Sequence, residues 1–222
     1  MTPSAPTPVG SATIRGMALR LVGVVHARDV ARLAPLLPEA QFVDFRALAV
    51  ALVPVPARRM ADDDGLRAHH AAVTTLSQAA SIVPAPPWTH FKSAGAVGQW
   101  LELHASALDE ALAHVDGRVM ARVTACRDAE GASSDPAVLP PSAAAAESFR
   151  ILRRHATAAV AVRSGAVGDG TTIAAEAFLV ERAQWEAFAA EVRAEDERSP
   201  GLALRLTGPW PPYDFVRLQF TA

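Results

Sequence analysis

The 222-residue sequence is poor in several residue types, and each shortage narrows what the protein can be. Cys126 is its only cysteine, which excludes an intramolecular disulfide and a cysteine-based zinc site. A lone thiol is typical of proteins from a reducing compartment. The apolar segment around Cys126 predicts a strand, so we expect this cysteine to behave as a small buried side chain rather than as a nucleophile.

Positive and negative charges nearly balance. The 21 Lys and Arg residues against 23 Asp and Glu give a formal net charge of -2, and Lys92 is the only lysine. Proteins that bind phosphate backbones usually carry a basic domain or a basic face. The nearest basic cluster, Arg150, Arg153 and Arg154 with Glu147 among them, is typical of a solvated helix face. The composition therefore argues against a nucleic-acid partner.

Long apolar runs are also missing. The longest, residues 47–57, is interrupted by Pro54 and Pro56 and falls far short of the ~20 residues that a membrane helix needs. Residues 1–16 are rich in Pro, Ser and Thr and lack the basic start and apolar core of a signal peptide, so they predict a flexible leader. We therefore expect a cytoplasmic protein without a lipid-membrane partner.

Half of the residues are hydrophobic, which is enough for a sizeable core. Residues 17–92 show the order strand, helix, strand, strand, helix, strand, and this order predicts an N-terminal ferredoxin-like domain. The expected strands are 18–25, 42–45, 48–53 and 81–83, and the expected helices are 29–37 and 65–80.

A similar order recurs in residues 117–222, which we interpret as a modified C-terminal ferredoxin-like domain with a tail. Its expected strands are 118–126, 158–162, 171–180 and 202–206, with one helix capped by Ser142 and another carrying Trp185, Phe188, Ala189 and Val192. A hairpin turn is expected at 164–170 and a mobile loop at 131–141. The strand at 158–162 has an alternative, since residues 157–163 can also extend the preceding helix.

Residues 93–116 predict a connecting helix between the two domains. Its apolar stripe suits packing against both of them, and His104 on that stripe is placed to hydrogen-bond across a domain interface. The stripe consists of Val97, Leu101, His104, Leu108, Ala111 and Val115. The predicted fold is therefore α+β, with two ferredoxin-like units joined by a long helix and followed by a proline- and aromatic-rich C-terminal segment.

No group of residues predicts catalysis, a metal or a cofactor. The seven histidines include no H-E-x-x-H or H-x-x-x-H pattern, and His69 and His70 are adjacent, so they point about 100° apart on a helix. No serine or cysteine nucleophile motif is present. The glycine-rich stretch 165–172 lacks a P-loop lysine and is typical of a hairpin turn, and Asp62 to Asp64 are typical of a helix start. We expect a protein that is not an enzyme.

The C-terminal segment is the most unusual part of the chain. Its prolines fix φ, lack an N–H and restrict the residues before them, so neither a helix nor a central strand can pass through it. It predicts a stiff edge segment that carries aromatic rings at low entropic cost. The residues concerned are Gly208, Pro209, Trp210, Pro211, Pro212, Tyr213 and Phe215.

The octapeptide 208–215 resembles the signature near the C-terminus of the gas vesicle GvpF/GvpL family. Residues 175–180 and 117–123 resemble further strands of that family, and His70 matches the place of a histidine in its second helix. The resemblance covers about the last half of the chain. Residues 82–91 depart from it, because they occupy the place of a leucine-proline and phenylalanine-glycine segment.

The resemblance implies a non-enzymatic accessory or minor structural protein of the gas vesicle. Such a protein is expected to bind the small hydrophobic shell protein during assembly, to act beside other gas vesicle accessory proteins, and to lie at the gas-facing surface of the vesicle. The aromatic residues of the 208–215 segment either fold back on the C-terminal domain or face a partner. The alternative function is a regulatory α+β module that binds a small molecule between its units.

Overall fold

The computed structural model describes residues 17–56, 62–127, 140–162 and 172–216. Within these residues the chain forms two antiparallel sheets with helices packed against them, which confirms the α+β class. The predicted leader and the predicted turn at 164–170 lie outside the described residues, as does most of the predicted loop at 131–141.

The first half of the chain contains five strands and three helices among its described residues. In chain order they are β1 (Met17–His26), α1 (Val30–Leu33), β2 (Gln41–Phe45), β3 (Leu48–Pro56), α2 (Asp63–Ala79), β4 (Val83–Pro84), β5 (His90–Phe91) and α3 (Ala94–Val115). The sheet order is β2-β3-β1-β4, and β5 also pairs with β1. The helix expected at 29–37 is thus a four-residue α1 between two short 3-10 turns, and β5 was not predicted.

Strict alternation along β3 gives the first sheet two apolar faces. Leu48, Val50 and Leu52 lie in one core with α3, whereas Ala49 and Ala51 lie in another with α1 and α2. The first sheet is therefore the middle layer of three, and both of its faces are buried.

Capping residues start the two long helices. The Asp62 carboxylate accepts a hydrogen bond from the Gly65 N–H at 2.8 Å, and the Ser93 hydroxyl accepts one from the Ala96 N–H at 3.2 Å. Each bond satisfies a backbone donor that the first turn of a helix leaves unpaired. The acidic run at residues 62–64 therefore starts a helix, as its sequence predicts.

The expectation that the stripe of α3 packs against both halves was wrong for its buried members. Val97, Leu101, Leu108 and Val115 all lie in the first core. His104 does not bridge an interface either, because its Nδ1 hydrogen-bonds at 2.8 Å to the backbone oxygen of Trp100, one turn earlier in the same helix. The helix thus packs on the first sheet, although two residues join each of its ends to a strand, β5 before it and the strand that begins at Arg118 after it.

The second half has four described strands and two helices. They are β6 (Arg118–Arg127), α4 (Pro141–Leu152), β7 (Ala158–Ala161), β8 (Thr172–Glu181), α5 (Trp185–Arg198) and β9 (Leu202–Trp210), with the sheet order β7-β8-β6-β9. A single core joins this sheet to α4 and α5 through Phe149, Phe178 and Phe188, whose rings make successive contacts.

Two expectations for the second half are resolved by this arrangement. Residues 158–161 form a strand rather than extending the helix. The predicted cap Ser142 is wrong, because α4 already begins at Pro141 with Pro140 as its N-cap. A proline suits the first helical position, since its fixed φ is helical and its missing N–H would be unpaired there anyway.

Strand β9 lies at the edge of the second sheet, as the prolines predict. Its free side is blocked at the start, because the N–H of Leu202 donates to Ser199 O at 3.1 Å and the N–H of Leu204 donates to the Asp196 carboxylate at 2.6 Å. Pro209 has no N–H to offer further along. These features protect an edge that could otherwise pair with a foreign strand.

No helix in the described segments is long and apolar enough to cross a membrane.

We expect Gly23→Ala to lower the free energy of unfolding by about 2 to 3 kcal/mol. A Cβ at this position would lie 2.6 Å from Ile82 Cδ1 and 2.7 Å from the backbone oxygen of Val83, and the latter cannot move without shifting a strand. Urea denaturation followed by circular dichroism measures the change.

The matched control is Gly98→Ala in α3, where a Cβ meets nothing within 4 Å. This change should raise stability by about 0.5 to 1 kcal/mol, because alanine is the better helix former. Equal effects of the two substitutions would contradict the tight approach of β1 to β4.

Candidate functional site

The 208–215 segment begins with a backbone irregularity in β9. Thr207 pairs with Arg122 and Trp210 pairs with Met120, so Gly208 and Pro209 together stand opposite a single residue of β6. Gly208 has a φ of +130°, and a Cβ on it would lie 2.8 Å from the backbone oxygen of Met120. Only glycine fits this position, both for its backbone conformation and for the space available.

Trp210 lies at the end of this edge strand with 37% of its surface exposed. Its indole N–H donates to the Thr207 hydroxyl at 3.2 Å, which holds the ring against its own strand. The residues that follow, Pro211 and Pro212, are buried. The ring is therefore exposed at the surface on a backbone that its neighbours restrain.

Tyr213 turns away from the second sheet and reaches the first half of the chain. It packs at the edge of the core that α1 and α2 share with the first sheet, and Val216 packs against the core on the other face of that sheet. Burial raises the pKa of the Tyr213 phenol to about 12. The expectation that the aromatic residues fold back on the C-terminal domain was therefore wrong for Tyr213.

His70 of α2 contacts both rings. Its Nδ1 and the Tyr213 hydroxyl are 3.2 Å apart and hydrogen-bond, and the two ring centroids are 6.1 Å apart in a stacked arrangement. The Trp210 ring centroid is 6.0 Å from that of His70. The sequence points to His70 because it matches the place of a histidine in the second helix of the family that the chain resembles. Its contact with the C-terminal segment was not predicted, because 143 residues separate His70 from Tyr213.

A cleft of about 290 Å³ opens where these residues meet. It is lined from the first half by His70 and from the second half by Met120, Arg122, Thr207, Trp210 and Tyr213. Arg122 donates to the Asp214 carboxylate at 2.9 Å, and this pair was not predicted from the sequence either. This ion pair holds the end of the segment to β6, and the Asp214 carboxylate balances the charge of Arg122.

A second cleft, of about 560 Å³, runs along the outer face of α2 and shares His70 with the first. Its lining includes Leu66, 44% of whose surface is exposed, together with Ala71, Thr74 and Thr75. The outer face of α2 and the end of β9 therefore form one continuous surface around His70, which we call the His70 surface.

Further contacts fix α2 relative to the second half. The Gly117 N–H donates to the Ser81 hydroxyl at 2.9 Å, and Arg182 donates to the Ser77 backbone oxygen at 2.7 Å. Ser81 in turn hydrogen-bonds to Asp116 and, together with the nearby His26 and Arg28, lowers the pKa of that carboxyl. Burial lowers the pKa of Arg182.

A polar cluster lies beneath α2, on the side away from the His70 surface. His69 donates from Nε2 to the Ala85 backbone oxygen at 2.9 Å, and Arg20, only 4% exposed, donates to Gly65 O at 2.6 Å and to His90 Nε2 at 3.3 Å. Burial is the main cause that lowers the pKa of His69 to about 4.

The described residues include no group of three or more His, Cys, Asp or Glu side chains that could hold a metal ion. Cys126 is 3% exposed, as expected for a small apolar side chain. Of the seven segment residues named from the sequence, Trp210 and Tyr213 line the cleft beside His70. Phe215, next to Asp214, is partly buried.

The model of the gas vesicle synthesis protein GvpL/GvpF family matches residues 4–148 and 141–217. The chain belongs to this family. The match includes the first half of the chain, which the sequence resemblance did not cover, and extends over residues 82–91. Family membership supports a gas vesicle-related role for this GvpL/GvpF protein.

The solved structures that resemble this chain include two gas vesicle proteins. The gas vesicle protein GvpF from Anabaena superposes with a TM-score of 0.70 at 15% identity, over 91% of this chain and 99% of that one. GvpF from Microcystis aeruginosa superposes with a TM-score of 0.65 at 16% identity, over 90% of this chain and 99% of that one. At such identity the likeness shows a shared fold. No curated protein matches the sequence.

We expect the stability of the protein to fall as the pH drops from about 6.5 to about 4. The pKa of His69 lies near 4 in the folded protein against 6.5 ordinarily, so the unfolded chain binds more protons within this window. His69 thus contributes stability that is present above pH 6.5 and lost on acidification, up to about 3 kcal/mol. The lowered pKa of His90 acts in the same direction.

Urea denaturation at several pH values tests this expectation. The variant His69→Gln removes the titration and should flatten the pH dependence, whereas His114→Gln, at an exposed position near the end of α3, should leave it unchanged. A pH dependence of His69→Gln equal to that of the wild type would contradict the assignment.

We also expect Tyr213→Phe to cost about 0.5 to 1 kcal/mol of stability, because the variant loses the hydrogen bond between the hydroxyl and His70. In a His70→Phe background the same change should cost less, since its partner is already gone. A double-mutant cycle by thermal denaturation measures this coupling. A coupling of zero would show that the two residues do not interact.

Proposed function

We propose that this GvpL/GvpF protein is a non-catalytic accessory or minor structural protein that binds the hydrophobic gas vesicle shell protein during assembly. A shell subunit with apolar surface needs a partner that covers this surface until it joins the vesicle. A protein surface with exposed aromatic residues on a restrained backbone suits that task, because little entropy is lost on binding.

The observation that carries the proposal is the exposed Trp210 at the end of β9, within the segment that resembles the family signature. Gly208 and the buried Pro211 and Pro212 fix the backbone on either side of the ring. The neighbouring Leu66 adds a second exposed apolar side chain across His70. Of the segment residues, Trp210 is thus the first we assign to partner contact, with Tyr213 positioning it through His70.

We further propose that both halves are ferredoxin-like units. Each half has the element order βαββαβ. In each half, four strands lie side by side in the order second, third, first, fourth, which is β2-β3-β1-β4 in the first sheet and β7-β8-β6-β9 in the second. This shared arrangement supports the assignment. The units are residues 17–92 and 117–222, and α3 within residues 93–116 links them.

The proposed place of action is the cytoplasm and the gas-facing surface of the vesicle, beside the shell protein and other gas vesicle accessory proteins. The balanced charge of the chain suits protein partners better than nucleic acid or a lipid surface. The role proposed here needs no cofactor.

Replacement of Trp210 by alanine should reduce co-purification with the shell protein at least tenfold. Most of the surface of Trp210 is covered and its ring contacts His70, so the melting temperature should fall, whereas circular dichroism at the temperature of the binding assay should show a retained fold. Leu103→Ala is the matched control, because this leucine of α3 is 82% exposed and lies outside the His70 surface. A double variant that also carries Tyr213→Ala should bind no better than Trp210→Ala.

A wild-type protein that does not bind the shell protein encoded in its own genome would overturn the proposal. Retention of full binding by Trp210→Ala would remove the assigned contact while leaving the wider role intact.

The alternative function, a small-molecule-binding regulatory module, is favoured by one observation. The 290 Å³ cleft lies between the two halves and combines aromatic walls with the polar groups of Arg122 and Thr207, as ligand sites often do. A ligand of this cleft would stabilise the fold, and a thermal-shift screen with cellular metabolites would show this. If no metabolite changes the melting temperature, the small-molecule function is contradicted.

A further inference from the structure

We infer that two copies of this chain associate through β7, which pairs in antiparallel fashion with β7 of the second copy and extends the four-stranded second sheet into one of eight strands. This inference goes beyond the proposed function and does not depend on it, because β7 and the Trp210 contact lie at opposite edges of the same sheet.

Strand β7 is an open sheet edge with free backbone groups. Val162 donates its N–H to Ala175 O in β8 at 2.9 Å, so every second residue of this stretch, including Val160, turns its backbone groups toward β8. Ala159 and Ala161 turn theirs outward, and both alanines are exposed. Among the described residues, nothing hydrogen-bonds to these outward groups. The edge therefore offers two donors and two acceptors to an added strand.

The other sheet edges in the described part of the chain are protected against strand addition. Strand β2 carries the exposed charge of Asp44, β4 and β5 have two residues each with Pro84 in β4, and β9 contains Pro209 beside the irregularity at Gly208. Charges, prolines and irregularities of this kind prevent unwanted pairing at an edge. Strand β7 is short, but its four residues include no charge, no proline and no register shift.

The free groups of β7 match those of a second copy of β7. An antiparallel strand pair with twofold symmetry places one residue opposite itself. With Val160 at that position, Ala159 of each copy faces Ala161 of the other, and every free donor meets a free acceptor. A register shifted toward Thr157 would lose bonds, since the Thr157 N–H already donates to Leu179 O at 2.8 Å.

The side chains at this edge also suit pairing of the strand with itself. Val160 lies on the sheet face away from α4 and α5, because the next residue, Ala159, pairs with Phe178 of the second core. Twofold pairing brings two valines together, and β-branched cross-strand pairs are favourable. The charged residue that β7 faces in the register, Glu176, already pairs with Arg153, so the two copies bring no unbalanced charge of one sign together there.

A dimer of this kind leaves both His70 surfaces free. Strand β9 and its counterpart in the second copy would form the outer edges of the eight-stranded sheet, roughly 34 Å apart at the usual spacing of strands. In the role that we propose, the dimer would contact two shell subunits at once and gain affinity from the linkage.

Sedimentation velocity of the full chain tests the inference, over about 5 to 500 µM because an interface of this size should associate weakly. Wild-type protein should shift from monomer to dimer with increasing concentration. Ala161→Pro should weaken dimerisation at least tenfold, because proline removes an outward N–H and leaves the ladder to β8 intact. Ala161→Ser keeps the N–H and is the matched control.

Circular dichroism shows whether Ala161→Pro retains its fold. If it does not, Ala161→Lys takes its place, because an exposed charge at the edge should weaken dimerisation to a similar extent. Wild-type protein that stays monomeric over the whole range overturns the inference, as does undiminished dimerisation of the folded edge variant.

A disulfide tests the register. Oxidation of Val160→Cys should give a linked dimer on a non-reducing gel, since the two thiols would face each other across a pair with Cα atoms about 4.5 Å apart. Ala158→Cys is the control, because its two copies would lie about 14 Å apart, too far for a disulfide. The native Cys126 is only 3% exposed and does not compete.

Equal linking of Val160→Cys and Ala158→Cys, or no linking of Val160→Cys at a concentration where the wild type is dimeric, contradicts the β7 pairing. Neither assay contains the shell protein, so failure of this inference and failure of the proposed function are separate results.

Discussion

Helix α2 packs on the first sheet with one face and contacts the C-terminal segment with another, and much of the structure depends on these two contacts. Its inner face, with Val73 and Leu76 fully buried, closes the core over the first sheet. Its outer face carries His70 to the aromatic residues of the C-terminal segment. Because successive helical residues point about 100° apart, the adjacent His69 and His70 face different sides of one helix. The inner histidine is buried with a lowered pKa, and the outer one lies at the surface that we assign to a partner.

The C-terminal segment acts as a strap between the two halves. Its Gly208 lets the chain approach β6 closely, its buried prolines restrict the backbone, and Tyr213 then packs at the edge of the core that α1 and α2 share with the first sheet. Arg122 and Asp214 hold the end of the strap to the second sheet. A segment built in this way keeps Trp210 exposed at small entropic cost, and it also couples the partner surface to the relative position of the two halves. The same residues therefore serve stability and, in the role that we propose, binding.

Much of the fold could be predicted because local patterns decide it. The apolar run at residues 48–53 predicted β3, the acidic residues 62–64 predicted the start of α2, and the prolines predicted an edge position for residues 208–210. The wrong predictions concern residues whose neighbours come from distant parts of the chain. The stripe of α3 had two candidate neighbours, and periodicity shows only that a face is apolar, not which core it joins. The two-residue β5 was too short to leave a pattern of its own.

The candidate site shows the same division. The sequence by itself determined the stiff backbone of residues 208–215, their likeness to a family signature and the absence of metal-binding patterns among the histidines. Only the tertiary structure decided that Tyr213 meets His70, that Arg122 pairs with Asp214 and that Leu66 and Trp210 share one face. These contacts join residues far apart in the chain, and their formation depends on how two sheets are placed around α2. Local propensity carries no information about that placement, whereas burial, distance and charge pairing in the folded protein specify it.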